Sequence, residues 1–157
     1  MLKVVLRKGV PGDVRALAGL WMNLFDLHAG LDPVFQRSAN ARRKWAEFAR
    51  EKMSSPESFV FVATSAGRPV GYILGSISKF PPVFKVRRHG FISDMYVDPR
   101  FQRRGIGRKL VTKALAWFRK GRIRIVEMVW ATPNVKAGMF WRRMGFRPCS
   151  ERCRLRL

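Results

Sequence analysis

"FISDMYVDPRFQRRGIGRKL", residues 91–110, combines a strand, a sharp stop, a glycine-rich turn and the start of a helix. β-Branched and aromatic residues fill the first part, and Asp98 and Pro99 end it. Apolar residues then recur at three- and four-residue steps from Ile106, which predicts a helix over about 104–120. The turn at 102–108 holds two glycines and three arginines. Such a turn before a helix is typical of an anion site, because the first helical N–H groups lack partners and glycine lets amides approach a phosphate.

The turn does not match the common nucleotide motifs. A Walker A loop needs Lys-Ser/Thr after its second glycine, and none follows here. A dinucleotide fingerprint needs a third glycine, which "GIGRKL" (105–110) lacks. Taken alone, the turn therefore indicates either a phosphate site of another kind or only a glycine turn with its cations in solvent.

The rest of the chain predicts one α/β domain, residues 1–157, with helices on both faces of a mixed sheet. The β-branched runs on either side of "SAGRP" predict a hairpin. The predicted strands lie at 3–8, within 58–78, at 90–99, at 122–131 and once or twice within 146–157, and the predicted helices lie at 11–30, 39–53, 104–120 and 134–145. The order is β-α-α-β-β-β-α-β-α-β(β).

Charge is the unusual feature of the composition. Lys and Arg number 32 against 10 Asp and Glu, a formal net charge of +22. Residues 1–84 carry +6 and residues 85–157 carry +16. Such a field attracts anions, whether nucleic acid, a phosphorylated cofactor, an acidic protein or an acidic membrane surface, and it also promotes solubility by itself. The 47% hydrophobic content excludes a disordered chain, and no apolar run is long enough to span a membrane.

The two cysteines, Cys149 and Cys153, indicate no metal site. No second cysteine pair accompanies them, and His28 and His89 lie far away in sequence. We expect reduced thiols and a cytoplasmic protein. No metal and no membrane partner is expected.

Three features together resemble the GNAT superfamily of N-acetyltransferases. The stretch 102–107, "QRRGIG", matches the family's acyl-coenzyme A signature Gln/Arg-x-x-Gly-x-Gly/Ala. The strand before it resembles the family's fourth strand. The segment 134–146 resembles its downstream element through Asn134, Ala137, Trp141, Gly145 and Phe146. The resemblance implies a central, mostly antiparallel mixed sheet of six to seven strands with about four helices.

The resemblance also implies acetyl-CoA as the cofactor. In that family the pantetheine arm lies where strands four and five splay apart and pairs with the backbone of strand four, and the pyrophosphate binds the amides that follow. Asn134 would bind the arm or a water, or it would cap its helix. Trp141 would lie beside the thioester sulfur, or it would be an ordinary core aromatic, and the two roles can coexist. The implied cofactor residues are Met95, Tyr96, Val97, Gln102, Arg103, Arg104, Gly105, Ile106, Gly107, Arg108, Asn134 and Trp141.

The chain departs from the family at its catalytic helpers. A tyrosine often stands at the position of Trp141, and Trp does not give up its proton. The usual general-base positions fall on Phe91 and Ser93, and neither is a base. The remaining candidates for a base are Asp94, Glu127 and His89, although Asp94 has the wrong strand parity if Ser93 and Met95 face the cleft. A water chain ending on backbone carbonyls, or a weakened activity, stays open.

The resemblance also implies that the acceptor would bind between residues 28–37 and 79–89. Both stretches mix apolar and aromatic residues, and the second adds cations. They suit an acceptor with a carboxylate or phosphate, or a peptide with acidic flanks, and argue against polycations because like charges repel. A solvated basic loop is the alternative. The candidate substrate residues are Asp32, Phe35, Phe84, Arg87 and Arg88.

The sequence is therefore compatible with two alternative functions. The first is an N-acetyltransferase that moves an acetyl group from acetyl-CoA to a primary amine, on a small molecule or a peptide, by direct attack. The second is a weak or silent CoA-binding module whose basic face binds nucleic acid or a ribonucleoprotein. A longer acyl donor is a further alternative. Dimers are common in the family, and a homodimer stays open here.

Overall fold

The computed structural model describes residues 3–157. Three short 3-10 helices, Pro11–Asp13, Pro33–Phe35 and Pro99–Phe101, stand at turns that begin with proline. The strands are β1 (Val4–Lys8), β2 (Ser58–Ser65), β3 (Arg68–Lys79), β4 (Arg88–Val97) and β5 (Val126–Met128), and the α-helices are α1 (Val14–Leu31), α2 (Ala41–Ser54), α3 (Ile106–Lys120) and α4 (Val135–Arg143). The predicted order is confirmed through α4.

The strands form one mixed sheet in the order β1-β2-β3-β4-β5. The first three pairings are antiparallel and β4–β5 is parallel. The predicted hairpin joins β2 to β3 through Ala66 and Gly67, both with positive φ. Two such residues match the right-handed twist of the strands that they connect.

Two apolar clusters cover the two faces of the sheet, as expected. One packs α1 and α2 against alternate residues of β2 and β3, with Leu17, Trp45 and Tyr72 at its centre. The other packs α3 against the opposite residues and includes Phe59, Leu110 and Phe118. In residues 3–157 no helix is both long and apolar enough to cross a membrane.

Helix α3 follows the sequence pattern closely. The stripe from Ile106 through Leu110, Ala114 and Phe118 is buried against the sheet, as its spacing predicts. The helix ends at Gly121, whose N–H donates to the carbonyl of Trp117. Close contact with β4 requires glycine at position 90, where a Cβ would lie 2.6 Å from the Phe118 ring.

The expected sheet of six to seven strands is wrong, because residues 3–157 contain five strands. The strand predicted at 122–131 shrinks to Val126–Met128, and residues 146–157 hold none. Pro148 cannot donate to a ladder. Residues 149–157 are all exposed, so no buried face fixes a register for the alternating "CRLRL" at the end of the chain.

Candidate active site

The central feature is a gap between β4 and β5. The two strands pair only at Gly90–Val126, Phe91–Glu127 and Ile92–Met128. Strand β4 then continues for residues 93–97 while β5 ends. The side of β4 that faces β5 is therefore open along this stretch, and an extended ligand can pair with its backbone as an added strand would.

A β-bulge marks the start of the gap. The pairing with β3 shifts between Leu74–Asp94 and Gly75–Ile92, which leaves Ser93 as the extra residue. A bulge reverses the alternation of side chains along its strand. Ile92 and Met95 consequently both pack on the α3 cluster, whereas a regular strand would place them on opposite faces.

The turn after β4 builds the N-terminus of α3. Gly105 is the N-cap residue with φ 75°, and no side chain within residues 3–157 caps the helix. Arg103 also has a positive φ of 61°, which is uncommon for a residue with a side chain. Alternating left-handed residues turn successive N–H groups toward one point, and such concave amide arrays bind anions. The first amides of α3 are thus available to a phosphate.

Side chains around the turn brace it. Gln102 Nε2 donates to the Val97 carbonyl oxygen at 2.9 Å, so Gln102 ties the turn to the end of β4. The guanidinium of Arg104 lies over the Phe101 ring at 5.7 Å, and Arg108 is exposed. A Cβ at Gly107 would lie 3.3 Å from the Phe140 ring, which shows how closely α3 and α4 approach.

Helix α4 packs beside the start of α3, where its Phe140 ring approaches Gly107. Asn134 accepts from the Ala137 N–H at 3.1 Å, so the predicted cap is confirmed, and its contact with a cofactor stays a prediction. Trp141 is buried in the α3 cluster, with the Phe140 and Phe146 rings each 5.2 Å away. The core role of Trp141 is therefore observed.

Asp94 lies on the α1–α2 face of the sheet, in contact with α2. Trp45 Nε1 donates to Asp94 Oδ2 at 3.0 Å, and burial raises the pKa of Asp94. Burial also raises the pKa of Tyr72 well above its ordinary value, and its hydroxyl has no hydrogen-bond partner among the described residues. Because of the bulge, Asp94 shares a face with Phe91, which a regular strand forbids. The parity argument from sequence therefore fails at Ser93.

The other two candidates for a base, His89 and Glu127, lie next to each other. His89 Nε2 lies 3.5 Å from Glu127 Oε2 across the β4–β5 pairing. The His89 ring is buried and stacks on Phe80 with ring centroids 3.9 Å apart, while the Glu127 side chain is 37% exposed. The structure thus brings His89 and Glu127 together and holds Asp94 separately against α2.

The predicted acceptor residues fall into two groups. Asp32 caps the short helix that follows it, and Arg154 Nη1 donates to Asp32 Oδ2 at 2.7 Å. The same guanidinium lies 5.9 Å from the Phe35 ring. The hydrogen bond from Arg154 is the main cause of the lowered pKa of Asp32. The C-terminal segment therefore covers part of the α1–α2 connection.

The second group lies in the connection between β3 and β4. Phe84 is exposed, and its ring lies 6.4 Å from that of Phe80. Arg88 Nη2 donates to Glu57 at 3.2 Å, whereas Arg87 contributes its carbonyl to the Phe80 N–H. The exposed face of this loop is apolar and basic.

A model of the Acetyltransferase (GNAT) family matches residues 21–146, most of the chain. The chain belongs to the GNAT family. It is 32% identical over 123 residues to the uncharacterized N-acetyltransferase MJ1207 of Methanocaldococcus jannaschii, which covers 78% of this chain and 52% of that protein. It is 35% identical over 102 residues to the N-alpha-acetyltransferase RimI of Mycobacterium tuberculosis, which covers 64% of this chain and 59% of that one. The GNAT chain thus spans between half and three fifths of the length of these relatives.

Solved structures agree on the fold. A predicted acetyltransferase from Clostridium acetobutylicum, solved with acetyl-CoA, superposes with a TM-score of 0.78 at 16% identity, and the match covers 98% of this GNAT chain and 96% of that one. Acetyl-CoA is the cofactor that enzymes of the family use. The α/β fold with its mostly antiparallel sheet is confirmed as that of the family.

Three contacts of the site were not predicted from the sequence. They are Trp45 with Asp94, Arg154 with Asp32, and Phe80 with His89. The first two contacts join residues that are 49 and 122 positions apart in the sequence, so no local sequence pattern predicts them. The prolines beside Phe80 could have signalled only that its loop is rigid.

Proposed function

We propose that this chain is an N-acetyltransferase that moves the acetyl group of acetyl-CoA directly to a primary amine. The gap carries the proposal: β4 runs past its last pairing with β5, at Ile92, and the turn after β4 leads to the N-terminus of α3. A ligand that combines an extended amide arm with phosphates at one end fits such a site. Family membership supports the same cofactor.

Under this proposal the chain's own backbone holds the cofactor. The peptide groups of Met95 and Val97 would pair with the pantetheine arm, and the amides of residues 103–108 would bind the pyrophosphate. The guanidinium groups of Arg103 and Arg108 add charge-assisted donors. A backbone N–H at the bulge around Ser93 would polarise the thioester carbonyl, as an oxyanion hole does.

The reaction needs no covalent intermediate on the protein. The lone pair of a neutral amine attacks the thioester carbon, the carbon–nitrogen bond forms, and the carbon–sulfur bond breaks to leave a thiolate. A thiol has an ordinary pKa of about 8.5, so the thiolate leaves tolerably near neutral pH without an acid from Trp141. Cys149 and Cys153 are exposed and take no part.

An α-amine is the acceptor that this chemistry favours. Its ordinary pKa of about 7.7–8.0 leaves far more of it neutral near pH 7 than a lysine side chain at about 10.4. The excess of cations discourages a polycationic acceptor. The similarity to RimI, which is named an N-alpha-acetyltransferase, supports the same class of acceptor. A cytoplasmic setting completes the proposal, since both cysteines are free thiols.

The test is a mass shift in a panel of acceptors. The protein is incubated with acetyl-CoA and matched peptides that carry either a free α-amine or only a free lysine amine, together with free amino acids and small amines. The expected result is the gain of one acetyl group on α-amines above a protein-free control. Absence of any gain while acetyl-CoA binds would contradict the proposed transfer.

The charge distribution favours a second candidate, a module that binds a polyanion. Residues 99–147, which include α3 and α4, hold fourteen Lys and Arg against one acidic residue, Glu127. Acetyl-CoA would neutralise only a few of these cations. If this face binds nucleic acid, its affinity for a structured RNA falls steeply as salt rises from about 50 to about 200 mM. A flat salt dependence with intact acetyl transfer would exclude this second role.

A further inference from the structure

We propose that Asp32 and Phe35 form a subsite for one arginine side chain of the acceptor, and that Arg154 of this chain occupies the subsite until an acceptor displaces it. The inference rests on the proposed acetyl transfer and names the kind of α-amine acceptor that the chain selects. Three observations carry it: an oriented carboxylate, a guanidinium that already lies on it, and the place of both beside β4.

The Asp32 carboxylate is oriented before an acceptor arrives. Its Oδ1 accepts from the Val34 N–H at 3.1 Å, which fixes the side chain at the start of the short helix Pro33–Phe35. Its Oδ2 is thereby left for a second donor, and the side chain is 27% exposed. A carboxylate that a backbone amide already holds loses little freedom when it binds a cation.

Arg154 shows which group this subsite accepts. Arg154 Nη1 donates to Asp32 Oδ2 at 2.7 Å, and the same guanidinium lies 5.9 Å from the centroid of the Phe35 ring. The His28 ring lies 6.3 Å from the Phe35 ring and supports it from α1. A carboxylate beside an aromatic ring suits a guanidinium, because arginine combines several N–H donors with a flat face that stacks on rings.

The segment that carries Arg154, residues 149–157, has few other anchors. In the described structure it contains no helix or strand, and all of its residues are exposed. Leu155 and Leu157 are among the exposed side chains, so neither leucine fixes the segment in the core. An ion pair between partly exposed side chains is a weak contact in water. Another guanidinium can therefore displace Arg154 from Asp32.

Helix α2 places the subsite beside the gap. Trp45 stands about one helical turn after the start of α2 at Ala41, and its Nε1 donates to Asp94 on β4. Asp94 directly follows the bulge at Ser93, where the open stretch of β4 begins. The connection between α1 and α2, residues 32–40, consequently ends about one turn away from the reactive part of the gap.

Helix α1 gives the same placement from the other side of the connection. The Asn23 side chain lies beside the Tyr96 hydroxyl, in the open stretch of β4. Asp32 follows nine positions later, which is about 14 Å or less along the chain of a helix. An extended peptide spans about 3.3–3.6 Å per residue. An arginine a few residues after an α-amine in the gap therefore reaches Asp32.

The surrounding charges select a single arginine and not a run of them. Asp32 is the one acidic residue within 28–37, and the nearby Asp26 is already engaged by two hydrogen bonds from Arg37. The facing stretch, residues 79–89, carries cations. A second arginine would thus meet like charge, which costs affinity.

The experiment compares pairs of peptides that differ in one charge. Each peptide has a free α-amine, and position two, three, four or five holds arginine in one member and citrulline in the other. Citrulline keeps the shape of arginine without its charge. For one of these positions, KM should be about 3- to 10-fold lower for arginine, the size expected of an exposed ion pair with a cation–π contact. The kcat should agree within about twofold.

Asp32→Asn should raise KM for the arginine peptide to that of its citrulline partner and leave KM for acetyl-CoA unchanged. Asparagine also accepts from the Val34 N–H, so the turn is retained. Asp26→Asn is the matched control, because it too removes a carboxylate that an arginine of this chain engages. It should leave the difference between the two peptides unchanged.

Arg154→Ala removes the internal competitor. KM for the arginine peptide should fall about two- to fivefold, because the peptide no longer displaces a weak ion pair. The fall should disappear when Arg154→Ala is combined with Asp32→Asn. Equal gains for the arginine and citrulline peptides would show that residue 154 covers the site without competing for the carboxylate, and would overturn the competition.

Calorimetric titration of the same peptides into the CoA-saturated protein separates this inference from the proposed function. Binding that prefers arginine and loses the preference in Asp32→Asn, without any acetylation, supports the subsite and contradicts the transfer. Acetylation of both peptides with equal KM overturns the subsite and leaves the transfer standing. Equal binding without acetylation contradicts both. Binding of acetyl-CoA by each variant shows that it is folded.

Discussion

Replacing Gly105 with alanine tests the amide cradle at the start of α3. Gly105 has φ 75°, and a Cβ built there meets no atom within 4 Å. The cost of the substitution is therefore conformational and contains no steric clash. A left-handed conformation costs a residue with a Cβ about 1–2 kcal/mol.

This conformational cost determines the expected change in stability and the expected change in affinity for acetyl-CoA. A loss of about 1–2 kcal/mol lowers the melting temperature of a chain of this length by about 2–8 °C. If the backbone relaxes away from φ 75°, one amide turns from the phosphate. One charge-assisted hydrogen bond is worth about 1.5–3 kcal/mol, so the affinity for acetyl-CoA would fall about 10- to 100-fold.

The assay pairs thermal unfolding with calorimetric titration of acetyl-CoA, and Gly19→Ala is the control. Gly19 lies inside α1, and a Cβ there also meets no atom within 4 Å. In a helix interior the same substitution should stabilise the fold by about 1 kcal/mol and leave the affinity unchanged. The same Gly→Ala substitution should thus lower the stability at position 105 and raise it at position 19.

A Gly105→Ala protein that is as stable as wild type, or more stable, would contradict a left-handed backbone at this position. The amide cradle is refuted if the variant loses stability yet binds acetyl-CoA with wild-type affinity, since the cradle would then not contact the phosphates.

Three further predictions concern stability. The Asp94→Asn variant should become more stable relative to wild type as the pH rises from about 4 to about 7. Burial raises the pKa of Asp94, so the ionised wild-type carboxylate destabilises the fold increasingly as the pH rises toward and through the folded pKa. Urea titrations at several pH values measure this difference in stability, and a difference that shrinks as the pH rises would contradict it. The Asp13→Asn variant should lose about 1.5–3 kcal/mol of folding stability near pH 7 and less below about pH 4. The hydrogen bond from Arg7 lowers the pKa of Asp13, so the stabilisation by the ionised carboxylate is lost as the pH falls through the folded pKa. Gly90→Ala should cost about 1–3 kcal/mol by overpacking against Phe118, and a neutral result in thermal unfolding would show that α3 lies farther from β4.

Elements with a strong period could be predicted from the sequence. The apolar stripe of α3 and the glycine turn between β2 and β3 are local patterns, and both appear where they were expected. The signature at 102–107 also sits at the N-terminus of α3, as its glycines and cations indicated.

The face of the sheet on which each candidate base lies could not be predicted. One extra residue at Ser93 reverses the faces of β4, and no residue type there marks a bulge. The contact between His89 and Glu127 depends on the parallel register of two strands separated by a helix. The strands expected after Gly145 failed for a different reason, because an alternating pattern forms a strand only when another strand pairs with it.

Hydrogen–deuterium exchange with and without acetyl-CoA tests the central claim, the location of the cofactor, most directly. The account predicts slower exchange of the amides at 93–97 and 103–108 when acetyl-CoA is bound, and little change in α2. Unchanged exchange in both stretches at saturating acetyl-CoA, or protection confined to the face of α1 and α2, would contradict it.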